Sequence, residues 1–241
     1  MHKKAEGYGY SCQGGRPENE DSYGLAEYGD NYCAVVADGL GGHGGGKQAS
    51  QTAVRFLSTC GEDGRLPAED EIYRAFAAAN EEILEKRRDE NHMKTTAVYL
   101  CIHGDQAVWA HIGDSRLYHF AHESLCDYTL DHSVSQMAVA LGEIRREEIP
   151  GHCDRSRLLR VLGDEKCRPE IHEPVRLEPG RHAFLLCSDG FWESVTEEEI
   201  LLDLCKSPSP GEWLKSLYLR IMERQGEEHD NHTAVAVFVE I

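Results

Sequence analysis

The chain lacks an excess of basic charge. Its 241 residues carry 25 Lys and Arg against 43 Asp and Glu, a formal charge of -18. With no basic stripe to meet phosphates or anionic headgroups, the sequence argues against a nucleic-acid binder and against attachment to an anionic membrane surface. No apolar run approaches the ~20 residues needed to span a bilayer, and no apolar stretch follows the opening Met1-His2-Lys3-Lys4. Neither a membrane span nor a secretory leader is therefore expected, and the protein is placed in the cytoplasm. Paired cysteines are missing too. The nine, an odd number, are scattered without a CxxC pair, and the thirteen histidines show no HxxxH or HExxH spacing. That speaks against a zinc site or a disulfide framework and for free thiols in a reducing compartment. Linkers, repeats and low-complexity tracts are also absent, so one domain, 1–241, is expected.

Acids at the ends of apolar runs are plentiful. Ala34-Val35-Val36-Ala37 stops at Asp38, and glycines fill six of the next eight positions, 39–46. A buried strand that ends so abruptly delivers a carboxylate to a sheet edge, as a metal ligand, a general base or merely an acceptor for the turn amides. The device recurs in Gly113-Asp114-Ser115, Ser188-Asp189-Gly190 and Asp230-Asn231, the last just before the final strand. Converging carboxylates repel unless a proton or cation lies between them. Oxygen-only donors call for Mn²⁺ or Mg²⁺, and two such ions can activate a shared water. Arg16 adds a planar fork suited to phosphate. The chemistry so assembled is metal-assisted hydrolysis of a phosphate ester.

Strands are expected at 8–11, 31–37, 95–102, 107–112, 116–120, 183–187 and 233–239, several of them apolar on both faces and hence covered on both. Apolar spacing places helices at 47–60, 69–88, 134–141, 156–162 and 210–224, and a capping box at Thr196 opens another through Leu204. Residues 131–163 are the least core-like stretch, and polar loops beside a rigid site usually carry selectivity.

Arg16-Pro17-Glu18-Asn19-Glu20-Asp21, Asp38-Gly39-Leu40-Gly41-Gly42-His43, Gly113-Asp114-Ser115-Arg116, Ser188-Asp189-Gly190 and Asp230-Asn231-His232-Thr233 resemble, in order, the motif series of the metal-dependent type 2C protein serine/threonine phosphatases, in their compact bacterial form. The resemblance implies an α+β fold, an αββα four-layer sandwich of two packed antiparallel sheets flanked by helices. It implies Asp38 bridging two metal ions, with Gly39, Asp189 and Asp230 completing their shell. Glu20 and Asp21 would hold metal-bound waters, and Asp114 would help bind a third ion. Arg16 would grip the phosphoryl group while a metal-bridging hydroxide attacks phosphorus without a phosphoenzyme, with His43 as a candidate proton donor to the leaving group. Residues 131–163 match the family's flap, where Arg145, Arg146 and Arg155 are candidate contacts to a phosphopeptide. The partners implied are phosphorylated proteins and an opposing serine/threonine kinase, with a monomeric chain that ends at its last strand and carries no anchor or sensor domain. The sequence departs from the family at Lys94 and at His229 and His232, none of which removes a ligand. A binding-only pseudophosphatase and a phosphatase of a specialised regulator such as an anti-sigma-factor antagonist are the alternatives; the first would be marked by loss of a core Asp, and Asp38, Asp189 and Asp230 are all present.

Overall fold

The computed structural model describes residues 5–41, 45–87, 93–226 and 229–241. Strands β1 (Glu6–Cys12), β2 (Ser22–Tyr28) and β3 (Asn31–Ala37) come first, followed by the two-residue β4 (Gly39–Leu40). Helices α1 (Gly45–Ser58) and α2 (Glu69–Lys86) precede β5 (Lys94–Thr95), β6 (Ala97–His103), β7 (Gln106–Ile112), β8 (Arg116–Ala121) and β9 (Ser124–Tyr128). A short α3 (Val134–Ala140) and a 3₁₀ turn at Arg146–Gly151 lead to β10 (Glu170–Ile171), β11 (Val175–Arg176) and β12 (Arg181–Cys187). The chain closes through α4 (Asp189–Trp192), α5 (Glu197–Lys206), α6 (Pro210–Arg224) and β13 (His232–Glu240).

All strand pairing is antiparallel. One sheet runs β1-β13-β12-β8-β9, the other β10-β7-β6-β3-β2 with β11 also on β7, and β4 pairs with β5 apart from both. Because side chains alternate along a strand, a strand apolar at every position serves two cores. In β3, Ala34 and Val36 meet Val98, Leu100, Phe184, Leu186 and Val235 between the sheets. Its Cys33, Val35 and Ala37 pack under α1 and α2, against Leu57, Ile72, Phe76 and Ile83. On the other sheet Leu185, Cys187, Ala234 and Ala236 face Trp213, Leu217 and Ile221 of α6. The layers are therefore helix, sheet, sheet, helix, as the two-faced strands and the family resemblance imply. Among the described residues no helix is long and apolar enough to cross a membrane.

The helix ends are chemically marked. Thr196 Oγ1 accepts from Glu199 N at 3.3 Å while Thr196 N–H donates to Glu199 Oε2 at 3.0 Å, a reciprocal cap worth about 1 kcal/mol. Ser209 caps α6 with Pro210 in its first turn, where the missing N–H costs nothing.

One expectation is corrected, and two strands were not expected. Residues 156–162 form no helix: Leu158 bridges to Ser133 and Leu162 to Thr95, so the segment is held extended by backbone pairing. Strands β2 and β9 were not legible. The first is a half-exposed edge whose alternation is blurred, and the second follows a tight turn at His122 and Glu123, both at positive φ (51° and 57°), without the Gly or Asn that usually marks one.

Candidate active site

The site lies where strand ends of both sheets meet. Asp38 follows β3, Asp114 follows β7, Asp189 opens α4 directly after β12, and Asp230 precedes β13. The backbone of Asp38 is pinned by β6's leader. Thr96 N–H and Thr95 Oγ1 donate to Asp38 O at 2.9 and 2.8 Å, and Asp38 N–H donates to Thr96 Oγ1 at 3.0 Å. Thr96 Oγ1 also lies 2.6 Å from Ser115 Oγ, which ties the Asp38 turn to the Asp114 turn through one buried hydroxyl.

Asp21 is held by a second network. Ser188 Oγ donates to Asp21 Oδ2 at 2.8 Å and accepts from Thr233 N at 3.0 Å. The first turns of α1 secure the backbone here, with Lys47 Nζ donating to Asp21 O at 2.6 Å and Ser50 Oγ to Glu20 O at 2.5 Å. Asn231 Oδ1 accepts from Glu20 N at 2.8 Å. Gly39 and Gly46 touch back to back: a Cβ on Gly39 would fall 2.3 Å from Gly46 O, and one on Gly46 would fall 2.7 Å from Glu20 Oε1. Only residues without side chains allow that approach.

The electrostatics mark the cluster as strained. Burial pushes Asp38 well above the carboxylate range, and Asp21, Asp189 and Asp114 push it further. In Asp189, burial and then Asp230 cause a rise that its contact with Asp38 opposes. Asp114 is raised by burial, Asp189 and Asp131, with Arg116 opposing. Asp21 is pushed up to about 7 by burial, against its bonds from Thr233 and Ser188. Like charges this close are stable only with a proton or cation among them.

The donors fit a hard cation. Glu20 Oε1 and Asp21 Oδ1 are buried without a hydrogen-bond partner, and such acceptors are expensive unless something positive meets them. The set contains carboxylates and backbone oxygen, with no thiol or imidazole among the candidate ligands, which suits Mn²⁺ or Mg²⁺. A second trio, His111, His132 and Glu170, lies behind the Asp114 turn. There His132 Nδ1 accepts from Gly113 N at 3.2 Å and an Arg160 nitrogen stands 3.3 Å from its Nε2, so His132 has no lone pair open for a cation and a positive charge is already present.

Arg16 donates to Asp230 Oδ2 at 2.6 Å and is otherwise exposed at the rim. Arg155 donates to Glu193 at 2.9 Å, one turn beyond Asp189. Arg146 lies 3.4 Å over the Tyr128 ring and pairs with Glu197; Arg145 is 78% exposed beside Glu148. His43 lies outside the described residues. Lys94 pairs with Asp164, His229 Nδ1 is 2.7 Å from Gly226 O, and His232 is buried with Nδ1 3.1 Å from Tyr10 Oη.

One assembly gave no sequence signal. Arg116, buried after β7's turn, donates through Nε and NH2 to both oxygens of Asp131 at 2.7 Å and to Tyr118 Oη at 3.1 Å. Its guanidinium lies 3.5 Å over the Trp192 ring, and Trp192 Nε1 donates to Asp114 O at 2.9 Å. The clamp joins the Asp114 turn, α4 and the start of the 131–163 segment.

The protein phosphatase 2C family profile matches residues 8–229. This chain belongs to that family. A serine/threonine phosphatase (stp) of Listeria welshimeri is 36% identical over 201 residues, 80% of this chain and 79% of that one. The crystal structure of the Mycobacterium tuberculosis phosphatase PstP/Ppp matches with a TM-score of 0.86 at 30% identity, covering 98% of this chain and 99% of that one. A PstP catalytic domain solved with two manganese ions matches with a TM-score of 0.81 at 26% identity, over 98% and 99% of the two chains. The protein is therefore a metal-dependent protein serine/threonine phosphatase that uses Mn²⁺ or Mg²⁺, and the αββα architecture is that of its relatives.

Proposed function

We propose that this phosphatase hydrolyses phosphoserine and phosphothreonine directly, without a phosphoenzyme, at the carboxylate cluster of Asp38, Asp189 and Asp230. The observation that carries the reading is the pair of buried, unpartnered oxygens on Glu20 and Asp21 beside three raised aspartates. Asp38, the Gly39 carbonyl, Asp189 and Asp230 would hold two ions, with Glu20 and Asp21 orienting water and Asp114 contributing to a third site. When bound, the ions supply charge neutralisation and an acidified water at neutral pH.

The chain's own groups do the rest. Arg16, held at the rim by Asp230, offers two parallel N–H donors to the phosphoryl oxygens. His43, on the glycine-rich stretch, is proposed to protonate the leaving alkoxide. The segment 131–163 acts as a flap: Arg145 meets the phosphopeptide from its exposed side and Arg155 through its place beside Glu193, while Arg146, stacked on Tyr128, takes part by fixing the segment's position. We further propose one domain over 1–241, a monomer in the cytoplasm, and an opposing serine/threonine kinase.

The test is turnover of a phosphothreonine peptide by EDTA-stripped protein with and without Mn²⁺. Activity should appear only with metal, and Asp38→Ala or Asp189→Ala should abolish it while leaving the circular dichroism spectrum unchanged. Near wild-type turnover in either variant would overturn the assignment.

A further inference from the structure

The helix-covered face of the β3–β6 sheet carries chemistry that phosphate hydrolysis does not use. Cys33 on β3 and Cys101 on β6 stand directly opposite one another across the ladder. Both are buried and free. Their sulfurs are 3.4 Å apart, and the Tyr99 hydroxyl lies 3.7 Å from Cys33 Sγ. Directly opposed residues of an antiparallel pair have Cα atoms about 4.5–5.5 Å apart, within the span of a disulfide. Small χ1 rotations would bring the sulfurs to bonding distance.

Burial alone would make such a pair inert, but its cover is thin at one point. A surface cavity of about 240 Å³ opens beside the turn that follows α1, with Thr59, Cys60, Gly61 and Arg65 in its wall. Gly61 also lies against both sulfurs: a Cβ there would fall 2.9 Å from Cys33 Sγ and 3.4 Å from Cys101 Sγ. One residue without a side chain thus stands between the cavity and the thiol pair, the thinnest cover over either sulfur. The two thiols differ in acidity. Hydrogen bonding from Cys101, helped by Tyr99, holds the Cys33 thiol below its usual range against burial, while the same contact and burial push Cys101 up. Cys33 also lies closer to Gly61 than Cys101 does, so it is the member that meets the reagent first and reacts as its thiolate.

We propose that Cys33 and Cys101 form a site of reversible oxidation by small hydroperoxides, closing into a disulfide that links β3 to β6. The Cys33 thiolate attacks one oxygen of the hydroperoxide, the O–O bond breaks, and the departing oxygen takes a proton to leave as water or an alcohol. Cys33 is then a sulfenic acid. The Cys101 sulfur attacks Cys33 Sγ, the S–S bond forms, the S–O bond breaks, and the hydroxyl leaves as water with the Cys101 proton. Two thiols give up two electrons and the peroxide accepts them. The link falls on the two strands that set Asp38, since β3 ends beside it and β6 follows the Thr95-Thr96 pair that holds it.

The exposed Cys126, Cys153 and Cys205 are first replaced by serine, leaving six thiols of the nine. Hydrogen peroxide applied to the reduced protein should remove two thiols together, and peptide mapping should show residues 33 and 101 cross-linked. Dithiothreitol should restore both, and the oxidised protein should unfold at a higher temperature than the reduced one. Cys101→Ala in the same background should stop at a sulfenic acid on Cys33 that dimedone traps; should that variant fail to fold, the mapping of the parent decides. Cys33 and Cys101 remaining reduced while Cys12, Cys60 or Cys167 is consumed would overturn the proposal, as would a disulfide that joins Cys60 to either.

Discussion

Removing Arg116 tests how the two halves of the site are held in register. Its side chain is 7% exposed and that of Asp131 is 2% exposed, with both hydrogen bonds at 2.7 Å. Burial alone would depress the guanidinium, but Tyr118 and Asp131 more than offset this and it stays charged. Arg116→Ala would leave the Asp131 carboxylate buried and unpaired, and breaking such a pair costs about 3–5 kcal/mol. The lost stacking on Trp192 adds roughly 1 kcal/mol. For a chain of this length each kcal/mol moves the thermal midpoint by about 2–4 °C, so a fall of roughly 8–24 °C is expected. Urea unfolding of the wild type, Arg116→Ala, Asp131→Leu and the double variant forms the assay. The double variant should be less destabilised than the sum of the singles, because it removes the stranded charge along with its partner. A loss below about 1 kcal/mol in Arg116→Ala, or strict additivity in the cycle, would refute the clamp.

Three other outcomes are expected. Arg16→Ala should raise KM for a phosphopeptide several-fold with the Mn²⁺ requirement unchanged, as steady-state kinetics across a metal titration would show. Adding Mn²⁺ to stripped protein should raise the unfolding temperature, since an ion at 100 times its Kd contributes about 2.7 kcal/mol; a midpoint indifferent to Mn²⁺ would contradict binding at the carboxylates. His119, with Nε2 2.9 Å from His182 Nδ1 and its ring stacked on Phe184, is pushed down to about 4 by burial and then by His182, with Asp127 opposing and His172 adding. The unfolded chain takes up this proton from about pH 6.5 downward and the folded chain only near 4, so its contribution is intact above pH 6.5 and about 3 kcal/mol is lost between the two values. His119→Phe should flatten that part of the stability profile, measured by urea unfolding at successive pH values.

Apolar runs that stop at an acid carry much of the fold in the sequence, because a strand buried on both faces leaves an unbroken pattern and its end is abrupt. β3, β12 and β13 were readable for that reason, and α6 because Ser209, Pro210 and the Trp213–Leu217–Ile221 stripe agree. Where local chemistry and tertiary pairing disagree, pairing prevails: Leu158, Leu159 and Leu162 have helical spacing but are held extended against Ser133 and Thr95. The turn before β9 uses His122 and Glu123 at positive φ, a conformation that no residue type there announces. The convergence of the acids could be inferred from their strand ends, but Arg116 with Asp131 could not. The two are fifteen positions apart and meet only because the segment after β9 returns beneath the Asp114 turn.

The carboxylates come from both sheets: Asp38 and Asp114 stand at the ends of β3 and β7, Asp189 and Asp230 beside β12 and β13. Neither sheet holds enough of them to make the site, and Arg16 reaches Asp230 across 214 positions of chain. Contacts of such range close late in folding, because loop-closure entropy must be met before they stabilise anything. In a refolding experiment the β2–β3, β6–β7 and β8–β9 pairs have the local contacts to gather first, whereas β1 must find β13 from the far end of the chain, and phosphatase activity should be the last signal to return. A chain arrested with its sheets formed but unpacked would be rich in secondary structure and catalytically silent.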